Sequence, residues 1–489
     1  MELKESNMKR TITLILASML LTLTACTGGS GPDNTAAPTE IVSNETAVPG
    51  ATENPYPTQD PARAAFDPET DHDDRNMGFL GSIAETEDAY YIMTTSGSGF
   101  LLFYDKAAGY NGILCPKPEC LHDLAPTRKE LAKCSGNIGD PFCSLTYYEG
   151  RLYWITYYLP ERDFCTFSMA LDGSDRQLVG VLGLADGKYQ PQQVWIHRGY
   201  FYFYSEADTV IDGAPSRQLA IVREPLAGGE KQEIYVKKSY MGGEWTLRFI
   251  GDDVYILAGY DDADGSVFEY GEPQTPEDLS LLQEHTVILR WNPGMKEPEV
   301  LLDEESLNQP SPDNFRVERD GTVWFVRHRP EDPSIDPWDE EKEYKEIDTL
   351  CRLDPDGTVT ELFDSAFDGD LYNMRNIFDG GVIMLRDLRT KPGYTVMCIA
   401  DLDGNVVFKG DLPMAFLDRI APGASDKSLE FIYPQIIFCE RDGFIACFDF
   451  YYPNDETHPT RQYIVRYDIT ADGLTETFLA ESMTVIYHE

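Results

Sequence analysis

The residues of this chain best suited to metal or redox chemistry crowd into one stretch. Cys115, Cys120, His122 and Cys134 occur in "CPKPECLH" and "KCSG", and Cys143 follows in "FCS". Outside the cytoplasm, clustered cysteines in a connection close a disulfide clamp, so Cys115, Cys120, Cys134 and Cys143 are expected to pair, with connectivity that sequence does not assign. The alternative is zinc held by Cys115, Cys120, His122 and Cys134, since thiolate and imidazole are ligands zinc prefers. Their C-x4-C-x-H-x11-C spacing is not that of a standard knuckle, and Pro116 and Pro118 stiffen it. Cys165, Cys351, Cys398, Cys439 and Cys447 lie in strand-like runs and read as buried small hydrophobes.

Catalytic signatures are sparse. The seven histidines form no H-E-x-x-H pair and no C-x-x-C-H site, and the chain has no G-x-S-x-G elbow. Acid pairs are too abundant in so acidic a chain to mark glycoside hydrolysis. No catalytic residue is singled out, and no cofactor is expected. The Asp-Gly pairs at 172–173, 356–357, 403–404 and 472–473 lack the alternating acids and distal glutamate of a calcium loop. They read as hairpin turns, because both residues tolerate positive φ.

The tenth cysteine, Cys26, sits elsewhere. Lys4, Lys9 and Arg10 precede an apolar or hydroxyl run from Thr11 to Ala25, too short to span a bilayer comfortably and patterned like a secretion signal beginning at Met1 or Met8. Leu23-Thr24-Ala25-Cys26 resembles the lipobox of bacterial lipoproteins. That resemblance implies a signal peptide over 1–25 and acyl chains on Cys26, holding the chain to the outer face of the cell membrane. Residues 26–76, rich in Gly, Pro, Thr, Asn, Asp and Glu, read as a solvated linker.

Residues 77–489 must position whatever chemistry remains. Aromatic residues make up 12% of the chain, with 28 Tyr and 24 Phe, and turn residues bound alternating segments throughout, as in an all-β protein. A turn followed by an aromatic or β-branched strand recurs at Tyr90, Leu152, Phe201, Val254, Val323, Val382 and Phe444, at intervals of 49 to 69 residues. A second hairpin phrase follows each, so every unit supplies about four strands. Such a sheet cannot cover both its faces alone, and about seven of them packed radially form a β-propeller; six or eight blades, or a pair of β-sandwiches, are the alternatives.

"GRLYWITYY" followed by "MALDGSDRQLV" resembles a YWTD-type propeller repeat, with Thr156 where that family usually places an acid. That family has six blades, against the seven units counted here. More broadly the chain resembles secreted propeller lipoproteins of Gram-positive bacteria related to TolB-type propellers, a resemblance that implies no activity.

A formal net charge of −44 repels nucleic-acid phosphate and anionic lipid, so neither is expected as a direct partner. The loop after the aromatic strand should emerge on one propeller face in every unit. Tyr157, Tyr158, Tyr204, Tyr260, Arg327, His328, Arg329, Arg386, Arg389, Tyr451 and Tyr452 fall there, and Tyr and Arg are residues that interfaces favour. The expected function is non-enzymatic binding or scaffolding by a monomer at the cell surface, with a glycan, peptide or envelope protein as ligand. The alternative is an extracellular hydrolase or lyase acting on polysaccharide.

Overall fold

The computed structural model describes residues 66–483 apart from 78–80, 95–98, 123–126, 140, 159–162, 183, 185–187, 212, 264, 269–281, 307–309, 312–313, 333–344, 387–395, 418–429, 432–433 and 452–460. The expected signal peptide, Cys26 and most of the expected linker therefore lie outside the described residues.

Seven antiparallel sheets, each built from one contiguous stretch, follow one another along the chain. Blade 1 spans 81–113, blade 2 141–181, blade 3 191–239, blade 4 243–306, blade 5 315–364, blade 6 373–411 and blade 7 430–483. The residues picked out from the recurring motif, Tyr90 to Phe444, each fall at or beside the start of their blade's second strand. The fold is an all-β, seven-bladed propeller.

Burial follows each strand's radial position. In blade 4 every residue of the second strand, Asp253–Asp261, is buried, because neighbouring blades cover both its faces. The outer strands Gln177–Val181 and Val406–Asp411 have no buried residue. Apolar residues accordingly fill the gaps between blades. One cluster occupies each of the seven seams, from Trp154 and Tyr91 between blades 1 and 2 to Phe438, Ile437, Ile83 and Leu102 between blades 7 and 1.

The last seam is distinctive because it joins the two ends of the described chain: blade 7 is made of its final stretch and blade 1 comes first, so no connection between successive blades crosses it. Its bridging elements come from outside the blades. Asn76 forms an isolated antiparallel bridge with Phe438, as Met77 N donates to Ile437 O at 3.0 Å and Cys439 N to Arg75 O at 2.9 Å. The Arg75 guanidinium lies 4.8 Å above the Phe438 ring and pairs with Glu85 of blade 1 at 2.7 Å.

Residues 66–76, which composition assigns to the linker, are thus packed against the ring. They form a strap over the face that carries the turns between first and second strands. Glu149 N donates to Glu69 O, and Arg198 N to Thr70 O. Both residues sit in left-handed backbone, at φ 46°, and each is followed by a left-handed glycine, Gly150 or Gly199, the two-residue hairpin turn that matches strand twist. His72 N donates to His197 Nδ1 at 3.1 Å, and Phe249 N to Asp74 Oδ2 at 2.8 Å. The strap escapes sequence reading because it is held by polar contacts and has no apolar period.

Asp71 is buried and takes two contacts from Arg198, at 2.6 and 3.2 Å, while Arg198 also reaches Asp252 at 2.7 Å. Removing one partner of a buried pair leaves a charge without compensation. Arg198→Ala should therefore destabilise the protein by on the order of 3 kcal/mol in denaturant titration, and should speed tryptic cleavage after Arg75, read by mass spectrometry.

Candidate functional site

The face opposite the strap is formed where second strands end and third strands begin. Tyr157, at the end of Arg151–Tyr158, is 46% exposed and meets Phe164 edge-on at 5.5 Å. Tyr158 is half-buried against Phe167. Tyr204 and Tyr260 are not surface groups: both are buried in the seam between blades 3 and 4. Tyr204 stacks on Trp245 at 5.3 Å and donates its hydroxyl to Gly243 O, and Tyr260 stacks on His285 at 5.9 Å. Aromatic strand residues alternate into the inter-blade gaps, so position along the strand, more than residue type, decides their exposure.

The arginines on this face are engaged by acids. Arg327 bonds Glu304 of blade 4 at 2.7 Å and Glu361 at 3.0 Å, Arg329 bonds Asp364, and Arg386 pairs with Asp370 at 2.6 Å. Arg389, Tyr452 and the side chain of Tyr451 lie outside the described residues.

His328 is the member of this set that joins a larger constellation. Its Nδ1 lies 2.8 Å from Asp348 Oδ1, and Asp348 Oδ2 accepts from Met374 N at 2.7 Å, linking blade 5 to blade 6. Burial works to lower the His328 pKa, but the Asp348 carboxylate bonded to it outweighs that effect and the net direction is up.

Across the seam, in blade 4, Asp261 and Glu284 are cross-strand neighbours. Asp261 is spent on structure, bonding the Ser239 hydroxyl and accepting from Tyr240 N and Met241 N. Glu284 has a buried Oε2 that meets no hydrogen-bond donor among the described residues. Its pKa is pushed up to about 7 by burial, reinforced by the charges of Asp261 and Glu346 and opposed by His328. Glu284, Asp261, Glu346 and Asp348 have no motif in sequence; only the second-strand and third-strand register brings them together.

The cysteine-rich excursion lies elsewhere, between the fourth strand of blade 1, Tyr110–Ile113, and a strand at Asn137–Gly139 that pairs back onto blade 1. Cys115, Cys120 and Cys134 form no disulfide in this structure, and the side chain of Cys143 lies outside the described residues. Three thiols and the imidazole of His122 converge there, with ligand atoms within 4.8 Å of one another. The other five cysteines are buried within strands. The expected Asp-Gly turns are present, with Gly173, Gly357, Gly404 and Gly473 all at positive φ. At Gly173 a side chain would also strike Leu114 O, where this turn docks on the start of the excursion.

No family model matches the chain, and no curated protein matches it, so the likeness to YWTD-type and TolB-type propellers rests on the residues quoted above. Among solved structures the chain is similar to an ulvan lyase of polysaccharide lyase family PL25, at 10% identity and TM-score 0.44, covering 83% of this chain and 96% of that one. It is similar to the polysaccharide lyase Uly1 at 9% identity and TM-score 0.36, covering 83% and 90%. The β-propeller domain of the Trilobed protease from Pyrococcus furiosus, described as having an open velcro topology, matches at 8% identity and TM-score 0.36, covering 84% and 99%.

Glu284 supplies a pH test. Its folded pKa of about 7 lies above the ordinary glutamate value of 4.5, so the native state binds the extra proton between those limits. The stability it contributes is full below about pH 4.5 and is lost as pH rises through 7. Glu284→Gln cannot titrate, so its unfolding midpoint should gain on the wild type between those pH values and hold a constant margin above them.

Proposed function

We propose that the protein is a surface-anchored, non-enzymatic binding propeller that uses the face opposite the strap to hold a peptide or envelope-protein segment bearing a lysine or arginine. The observation that carries this reading is the buried Glu284 Oε2, without a hydrogen-bond partner among the described residues, beside Asp261 and Glu346 at the seam of blades 4 and 5. Burial, reinforced by the neighbouring carboxylates, holds a proton on Glu284, and an incoming ammonium or guanidinium would replace that proton and satisfy the orphan oxygen. The arginines around it are already neutralised by acids, so the seam offers little to a polyanionic glycan.

Anchoring through acyl chains on Cys26, within a mature protein of outer-surface location, belongs to the same reading and rests on the lipobox-like residues. Intact mass should show the added acyl chains on a product beginning at Cys26.

A second reading is an extracellular polysaccharide hydrolase or lyase. It is favoured by one observation, that His328 is oriented by Asp348 within electrostatic reach of Glu284, the makings of an acid–base pair.

The two readings part on one experiment. The full chain is offered arrays of peptides with Lys or Arg, their Ala counterparts and a panel of polysaccharides, with Glu284→Gln alongside. Capture of the cationic peptides, weakened about tenfold by the substitution, a loss of roughly 1.4 kcal/mol, is the expected result. Release of cleaved or unsaturated oligosaccharides without peptide capture would replace binding with catalysis.

A further inference from the structure

We propose that Cys115, Cys120, His122 and Cys134 form a structural zinc site that fastens the closing seam of the propeller. In a tetrahedral site with Zn–S of about 2.3 Å and Zn–N of about 2.0–2.1 Å, ligand atoms stand roughly 3.5–3.8 Å apart. The four ligand atoms here all lie within 4.8 Å of one another, and His122 Nδ1 is 3.5 Å from Cys134 Sγ. A single disulfide would use two of these groups and leave a thiol and an imidazole over; one zinc ion uses all four. Three thiolates and one imidazole also fill the coordination sphere, leaving no open position, as in structural sites.

The local backbone is arranged for such a centre. His122 sits in left-handed backbone at φ 51°, a region uncommon for residues other than glycine but one that histidine tolerates better than most. Lys117, between the first two cysteines, donates its ammonium to the carbonyl of Lys133, next to the last, at 2.5 Å, so both ends of the excursion are drawn to one point. These lysines also bring positive charge beside a centre whose three thiolates exceed the charge of the ion.

The position gives the metal its role. Between the strands Tyr110–Ile113 and Asn137–Gly139 the described chain has only a single-turn helix, Arg128–Leu131, so little secondary structure secures it. Leu131 and Cys134 are nevertheless buried in the apolar cluster shared by blades 7 and 1, with Cys115 and Cys120 packed against it. Cys115 and His122 also line a cleft of about 430 Å³ whose opposite wall is Ala480, Glu481 and Ser482 of blade 7. Zinc would fix the excursion in place at the seam between the first and last blades, which no chain connection crosses among the described residues.

The test uses the full chain, zinc alone and cobalt(II) as a spectroscopic substitute. The purified protein should carry a single equivalent of zinc, and the cobalt form should show thiolate-to-metal charge transfer with tetrahedral ligand-field bands. Cys120→Ser and His122→Ala should lose most of the metal, whereas His122→Cys should keep it. Because the ligand variants could fail by unfolding, chelation of the wild-type protein is followed by hydrogen exchange, which should rise at Asn137–Gly139 and fall again when zinc is restored. A disulfide among these cysteines, the absence of a cobalt charge-transfer band, or zinc retention by both Cys120→Ser and His122→Ala would overturn the proposal.

Discussion

A ring of sheets must close, and here, among the described residues, it closes without a strand passing from the last blade to the first. Each blade can bury its apolar faces only against two neighbours, so opening any one seam exposes two faces at once. Six seams join blades that the chain itself ties together. The seventh has only noncovalent means: the Phe438 and Ile83 cluster, the Arg75–Met77 segment laid along Gln435–Glu440, and the excursion carrying Leu131 and Cys134. The seam thus couples a polar strap on one side with a cysteine-rich insertion on another.

That constraint also separates the two faces of the molecule. The strap occupies the face of first-to-second strand turns, where His72 and His197 are both buried. Nδ1 of His197 accepts from His72 N while Nε2 faces Gly251 O at 2.7 Å, which assigns the neutral Nε2–H tautomer. Burial lowers the His72 pKa to about 3 and that of His197 to about 4. Unfolded histidines take up protons first as pH falls below about 6.5, so acid progressively removes stability from the strap. Asp74 runs the other way: burial pushes it up to about 7 despite Arg248 nearby, and its contribution falls as pH rises towards neutrality.

The radial architecture was legible because it is written in period and turn chemistry. Aromatic and β-branched runs mark the second strands, since these are buried on both sides, and Asp-Gly marks the outer hairpins. Residue type alone was a poorer guide to the binding face. Tyr204 and Tyr260 look like surface anchors in sequence, yet strand alternation sends them into a seam, and Arg327, Arg329 and Arg386 meet acids supplied by other strands. Glu284 and Asp348 acquire their character only from register and burial. The strap was invisible for the opposite reason, as the side chains of Asp71 and Asp74 and the backbone N–H of His72 find their partners more than a hundred residues away.

The claim on which the rest depends is that residues 75–77 are part of the closed ring, bonded to the inner strand of blade 7. Native-state hydrogen exchange on the full chain measures this directly at the amides of Met77 and Cys439. Both should exchange as slowly as amides in the buried second strand of blade 4. Exchange at the rate of an exposed loop, with blade 4 still protected, would mean that the strap does not hold the seam and that the ring closes by other means.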